Sequence, residues 1–539
     1  MIHLTARKRI NSNQLFYIIF TSLIIIFLFL TLGSILLGHL SLTYDEPQHF
    51  RYGELIYQLK SDRFDDSKMP VSVINVIPAK IADQLLGKYI TNEWQLMSIG
   101  RISTIFTSLL LGLLCFYWAK ALYGKWAGLL CFGLYVFEPN LIAHSQLVTT
   151  DLYAVATLTL TLYIFWRFLE KPNLWWGILT GLALGLSQIA KYSSILLIPI
   201  LLLLVILRHS EWLITTLKQR SFGNILRALL RLLKYTVLIL VITVSVINLG
   251  FLFNRTGTAL GSYQFKSDLF QSLQQAFPAL KKTPIPLPYP YLEGLDYVMF
   301  RERTGDGYGN IYLLGQLRKG TGFEGYYFIA SLFKVPLPIL GLLIFAFWEW
   351  LRTFHKDEFL KREMVLLIPA LIYAIYYNFF NRAQIGIRFY LVIFPILLIF
   401  ITRVFRKWPI FSWRSRIIFG MAGLYLVISV VSYFPNYLSY FNELVPNRSY
   451  AYKYLADSNI DWGQNRANLA EYLEQHPDYK FQPNTPTAGT IVIGVNELTG
   501  VVGNPQDYQW LRENFKPIGN FDYTYLIYNI SPSDLTKIK

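Results

Sequence analysis

The chain has 539 residues, of which 54% are hydrophobic, 17% aromatic and only 15% charged. A soluble domain carries about a quarter charged residues, so these figures exclude a multidomain soluble protein, a disordered chain, a collagen-like repeat and a disulfide scaffold. The net charge of +16 would suggest nucleic acid in a soluble protein, but here the cations cluster between apolar runs, where they report membrane topology.

In chain order, Arg7, Lys8 and Arg9 precede an apolar run from Leu15 to about Leu40 that lacks a small-residue cleavage pattern. This predicts an uncleaved signal anchor. Further spans are predicted at 101–119, 125–143, 152–169, 174–190, 192–208, 232–253, 327–350, 364–380, 386–404 and 416–434, about eleven in all. The stretch 174–208 is interrupted only by Gln188 and Lys191, and fits two short helices or one long tilted one. Cys115 and Cys131 both lie inside apolar runs and on their own exclude a cysteine-based metal site.

With the N-terminus inside, the cytoplasmic connections contain Lys120, Lys125, Arg167, Lys171, Arg208, Lys218, Arg220, Arg352 and Arg403 among other cations, while the short connections opposite hold Lys191, Arg382 and Arg388. The positive-inside rule is met along the chain. It predicts an integral membrane protein with a cytoplasmic N-terminus and an external tail, which in a bacterium means the inner membrane and the periplasm. The expected fold is an α-helical polytopic membrane domain over 1–434 with long external loops at 41–100 and 254–326. A small external α/β domain over 435–539 is read from a helical pattern at Ala467–Leu473 and strand-like runs at Thr490–Val495 and Tyr523–Ile530. No internal repeat, P-loop, GxGxxG, zinc spacing or nucleophile elbow is present.

After the first span the chain reads Thr43-Tyr44-Asp45-Glu46-Pro47-Gln48-His49-Phe50-Arg51. Two adjacent carboxylates beside a His and an Arg at a membrane interface form a polar cluster that is expensive to desolvate. Helix capping, with Asp45 as N-cap and Pro47 in the first turn, would give much the same string, and spacing does not choose between them. Asp151, after Thr149 and Thr150, has the same two readings. Both acids fall on the external side, each at the mouth of a helix. Lys191, Arg388, Arg101 and Lys334 lie toward that side as well. The last three could snorkel to headgroups, whereas Lys191 has apolar turns on both sides. Carboxylates with cations at a membrane face suit activation of a hydroxyl with stabilisation of a phosphate leaving group.

The Asp45-Glu46-Pro47-Gln48-His49 string resembles the acidic motif in the first external loop of GT-C glycosyltransferases. The resemblance is closest to the protein O-mannosyltransferase-like group and the lipid A aminoarabinose transferase. Similar stretches are Arg101-Ile102-Ser103, Leu147–Asp151, Ala190-Lys191-Tyr192, Phe333–Pro338, Ile385–Arg388 and, in the tail, Asp457–Gln464. The resemblance implies a polyprenyl-phosphate-linked sugar donor, a protein, lipid or glycan acceptor, and an inverting displacement at the external face. It implies Asp45 as base, Glu46 and Asp151 as catalytic positioning groups, and Lys191, Arg388, Arg101 and Lys334 as phosphate ligands. His49, Arg51 and Arg303 are further substrate-binding candidates. Many relatives carry His where this chain has Phe389, which puts that neighbour's contribution in question. No cofactor is implied; a divalent metal is compatible, but Lys and Arg make it unnecessary. The rival readings are a transporter or flippase, which would place its polar groups at the midplane in broken helices, and a ligase for lipid-linked glycans.

Overall fold

The computed structural model describes residues 12–37, 40–87, 92–218, 222–410 and 412–536; Arg7, Lys8, Arg9 and Arg220 lie outside them. Among the described residues seven helices are long and apolar enough to cross a membrane: Asn13–Leu36, Glu93–Tyr123, Asp151–Glu170, Leu226–Gly250, Lys356–Phe380, Ile387–Arg406 and Trp413–Val431. Two bent pairs, Lys125–Val136 with Pro139–Ser145 and Tyr326–Lys334 with Leu337–Arg352, raise this to nine. Leu174–Ala190 and Tyr192–Arg208 are shorter apolar helices. Each predicted run thus has a counterpart among the described residues: seven long helices, two bent pairs and two shorter apolar helices.

The bends and breaks have local causes. Pro139 and Pro336 cannot continue a helix through their own positions, and the pairs they separate bend by 65° and 119°. Glu138 then caps the second piece of its pair by accepting from the Leu141 amide at 2.7 Å. The 174–208 stretch is two helices, because Lys191 adopts an extended conformation between them. Gly181 and Gly185 let the first of these lie against Leu226–Gly250, since a Cβ there would meet Ile242 Cβ at 2.8 Å and Val246 Cβ at 2.6 Å.

Ile387–Arg406 occupies the centre of the bundle, with 94% of its apolar window buried, against 17% for the first helix, Leu226–Gly250 and Trp413–Val431. Those three present apolar side chains outward, as lipid contact requires. At the end of the central helix away from Arg388, Arg403 pairs with Glu349 at 2.7 Å and with Glu363, which also accepts from Trp350 Nε1 at 2.8 Å.

Small sheets lie in the segments between and after the spans. Strands β1 (Asn310–Leu313) and β2 (Gln316–Lys319) form a hairpin. In the tail, β3 (Lys480–Phe481), β4 (Gly489–Gly494), β5 (Gly519–Phe521) and β6 (Tyr525–Ile530) form one sheet in the order β3-β4-β6-β5, with β3 and β4 parallel and the other pairs antiparallel. Leu469 of the Arg466–Gln475 helix packs against Val492 and Tyr525 of this sheet.

Candidate active site

Asp45 directly precedes the Glu46–Tyr57 helix, which has Pro47 in its first turn, yet its side chain makes no capping hydrogen bond. It accepts instead from Arg388 Nη1 at 2.9 Å, across 343 residues. Asp151 opens the Asp151–Glu170 helix behind Thr150. Lys191 Nζ lies 2.5 Å from its Oδ1, and Arg388 Nη1 3.9 Å from its Oδ2. Capping therefore accounts for neither carboxylate. The helix break places the Lys191 ammonium 4.1 Å from the Phe389 ring centre, while the Arg388 guanidinium lies 4.0 Å from that of Trp462. Phe389 is thus the aromatic face on which Lys191 rests.

Asp45, His49, Asp151, Lys191 and Arg388 line one cavity of about 590 Å³. Lys68 from the 41–100 loop and Arg301, Glu302 and Tyr308 from the 254–326 loop, none of them singled out in the sequence, complete it together with Asp457, Asp461 and Trp462 of the tail stretch Asp457–Gln464. Burial alone would raise the Asp45 carboxyl, but Arg388 and Lys68 more than offset it and hold the group below the usual carboxylate range. Burial, reinforced by Lys68, pushes His49 down to about 3, so its imidazole is neutral. Burial raises Asp457, Glu302 and Asp461, the last to about 6 although it accepts from the Gly463 amide at 2.8 Å.

Five predicted residues do not line the cavity. Glu46 is fully buried and accepts from Arg101 Nε at 2.9 Å and Nη2 at 2.8 Å, and from the amides of Thr43 at 2.6 Å and Val148 at 2.9 Å. Arg101 also donates to the carbonyls of Leu40 and Ser41. Acid and cation saturate each other and tie the Asp45 loop to the Glu93–Tyr123 helix. Lys334 is buried, with Nζ donating to the carbonyls of Leu438 at 2.7 Å and Asn459 at 2.6 Å. Arg51 is exposed, near the Phe64 ring, and Arg303 is 73% exposed beside Asp268.

The tail segment Asp457–Gln464 clamps both sides of the cavity. Asn459 Oδ1 accepts from the Ile387 amide at 3.0 Å, next to Arg388. The carbonyls of Trp462 and Gln464 accept from the amides of Tyr44 at 3.0 Å and Ser41 at 2.8 Å, next to Asp45. Gly386 makes this approach possible. Its φ is +92°, and a Cβ would meet Ser458 Oγ at 2.3 Å.

In its fold the polytopic helical bundle is similar to membrane glycosyltransferases of known structure. Residues 84–245 match the family model described as dolichyl-phosphate-mannose-protein mannosyltransferase. That stretch contains Asp151 and Lys191 but neither Asp45 nor Arg388. The apo oligosaccharyltransferase of Archaeoglobus fulgidus is similar in fold, with a TM-score of 0.50 at 13% identity over 87% of this chain and 59% of that one. ArnT from Cupriavidus metallidurans bound to undecaprenyl phosphate matches at 12% identity over 96% of this chain and 98% of that one, with a TM-score of 0.47. The Archaeoglobus fulgidus oligosaccharyltransferase AglB in complex with an inhibitory peptide and a dolichol-phosphate matches at 12% identity over 86% and 59%, with a TM-score of 0.46. No curated protein matches the chain.

Proposed function

We propose that this membrane glycosyltransferase moves a sugar from a polyprenyl-phosphate-linked donor to a hydroxyl acceptor, with inversion, on the periplasmic face of a bacterial inner membrane. The observation that carries the reading is the Asp45–Arg388–Asp151–Lys191 chain of ion pairs lining one cavity. A phosphate has the charge and geometry to take over these two cations. Lys191, Arg388 and Lys68 hold it, and Phe389 and Trp462 keep Lys191 and Arg388 oriented. As Arg388 turns to the phosphate, Asp45 loses its main neutralising partner and becomes more basic. It then takes the proton of the acceptor hydroxyl. The acceptor oxygen forms a bond to the anomeric carbon from the face opposite the donor, and the bond from that carbon to the phosphate oxygen breaks. The lipid phosphate leaves with its negative charge on the cations. Asp151 keeps Lys191 in place throughout, and Glu46 and Arg101 act by fixing the loop that carries Asp45.

The family description names dolichyl-phosphate-mannose, which supports a lipid-linked donor. The test is transfer of label from defined polyprenyl-phosphate sugars to a membrane extract. Wild type is expected to transfer and Asp45→Asn to fail while still binding donor. Equal transfer by both would overturn the assignment.

A further inference from the structure

A second cavity, of about 430 Å³, lies beside the first. Gln384 lines the second, whereas Ile385 and Arg388 line the first, so one stretch of chain walls both. The second cavity sits where the Lys356–Phe380 span ends, with Phe379 and Asn381 in its lining. Around it Phe328, Phe379 and Phe380 are 49%, 55% and 65% exposed, an aromatic surface suited to the membrane interface.

Its charged side chains, Arg318, Glu324 and Arg382, are all exposed. Arg318 donates to the Gly322 carbonyl at 3.3 Å and packs on Phe323. The side chains of Arg382 and Glu324 have no hydrogen bond or ion pair among the described residues, and neither arginine lies within 4.0 Å of the Glu324 carboxylate. Two cations and one acid therefore line the same space without neutralising one another. Asn381 is 2% exposed; its Oδ1 accepts from the Ala383 amide at 2.6 Å, while Nδ2 has no partner among the described residues.

We infer that this cavity holds the headgroup of a membrane phospholipid that carries both a phosphate and a primary ammonium. The two guanidiniums take the phosphate oxygens. Glu324 accepts from the ammonium, and the acyl chains run along the exposed phenylalanines. The Arg382 amide donates to the Glu302 carbonyl at 2.7 Å, so a lipid held here braces the wall that carries Arg388. This site is distinct from the donor cavity and does not depend on its assignment.

The test uses the full chain, delipidated in detergent, with phosphatidylethanolamine and phosphatidylglycerol as probes and native mass spectrometry as readout. Phosphatidylethanolamine is expected to bind and to raise the melting temperature. The Arg318→Ala/Arg382→Ala pair should weaken it about ten-fold or more, and Glu324→Gln should abolish its preference over phosphatidylglycerol. Wild-type affinity in the paired variant would overturn the site. Equal binding of the two lipids by wild type would overturn the ammonium contact. Displacement of the lipid by equimolar inorganic phosphate would assign the cavity to a free phosphate instead.

Discussion

Asp45 and Glu46 are chain neighbours with opposite surroundings. Successive residues on a helix point about 100° apart, so one carboxylate faces the cavity and the other faces Arg101 in the interior. Their variants should separate cleanly. Asp45→Asn is expected to lower turnover by about 10² to 10⁴, a loss far larger than any accompanying drop in melting temperature explains. Glu46→Gln breaks a buried ion pair, which costs about 3–5 kcal/mol, and should appear first as lost expression and a lower melting temperature in detergent. Arg388→Lys should raise the donor concentration needed for half-maximal rate more than it changes the limiting rate, because an ammonium cannot span two phosphate oxygens. The pH profile carries the same information. Asp45 is held low in the free enzyme, so kcat/KM should stay flat down to the ordinary carboxylate range, with no inflection near 6.5 because His49 is already neutral. The acid limb of kcat should lie at higher pH, since bound donor draws Arg388 away. The sequence singled out the acidic string and the cations, but the partition of Asp45 from Glu46, and of Arg301 from Arg303 two positions further on, depends on helix rotation that spacing does not reveal at an isolated turn.

Among the elements, the tail segment Asp457–Gln464 was visible in the sequence as a motif, and β4, β6 and the Arg466–Gln475 helix as periodic runs. Its return to grip the loops of Asp45 and Arg388 was not, because contacts spanning more than 70 and more than 400 residues leave no local pattern. Gly386→Ala should therefore weaken donor use although it removes no donor contact, and the check is whether Ser458→Ala, which removes the oxygen that the new Cβ would meet, partly restores it. Asp461 gives a second readout. Its carboxyl is raised from the usual range to about 6, so the cost of burying its charge is absent at low pH and complete above about 6. Asp461→Asn should stabilise the protein at pH 8 by up to about 3 kcal/mol, and the gain should vanish as pH falls toward 4. A constant gain at every pH would show that packing, not charge, is responsible. The loop residue Lys68 belongs to this scale too: Arg63 donates to its carbonyl at 3.1 Å and to the Tyr192 hydroxyl at 2.8 Å, joining the loop to the helix that follows Lys191. The run Asp65-Asp66-Ser67-Lys68 was the available signal, but nothing in it points to Tyr192.

For the whole molecule, apolar run length made the bundle legible. The bends were foreseeable only at Pro139 and Pro336, and their angles were not. Orientation is proposed from the distribution of cations: a reporter active only outside the cytoplasm should work when fused after Lys539, and one active only inside should not. The opposite result would move the cavity to the cytoplasmic face.

The first helix offers most of its surface to lipid, while the loop behind it is fastened elsewhere, to Arg101 and to the Trp462 and Gln464 carbonyls. A helix so exposed must tilt when the hydrocarbon thickness of the bilayer changes. Asp45, tethered to the bundle and the tail, need not follow it. Catalysis should thus be buffered against hydrophobic mismatch, with similar turnover in vesicles of short and long acyl chains, and Arg101→Ala should make the rate depend on chain length.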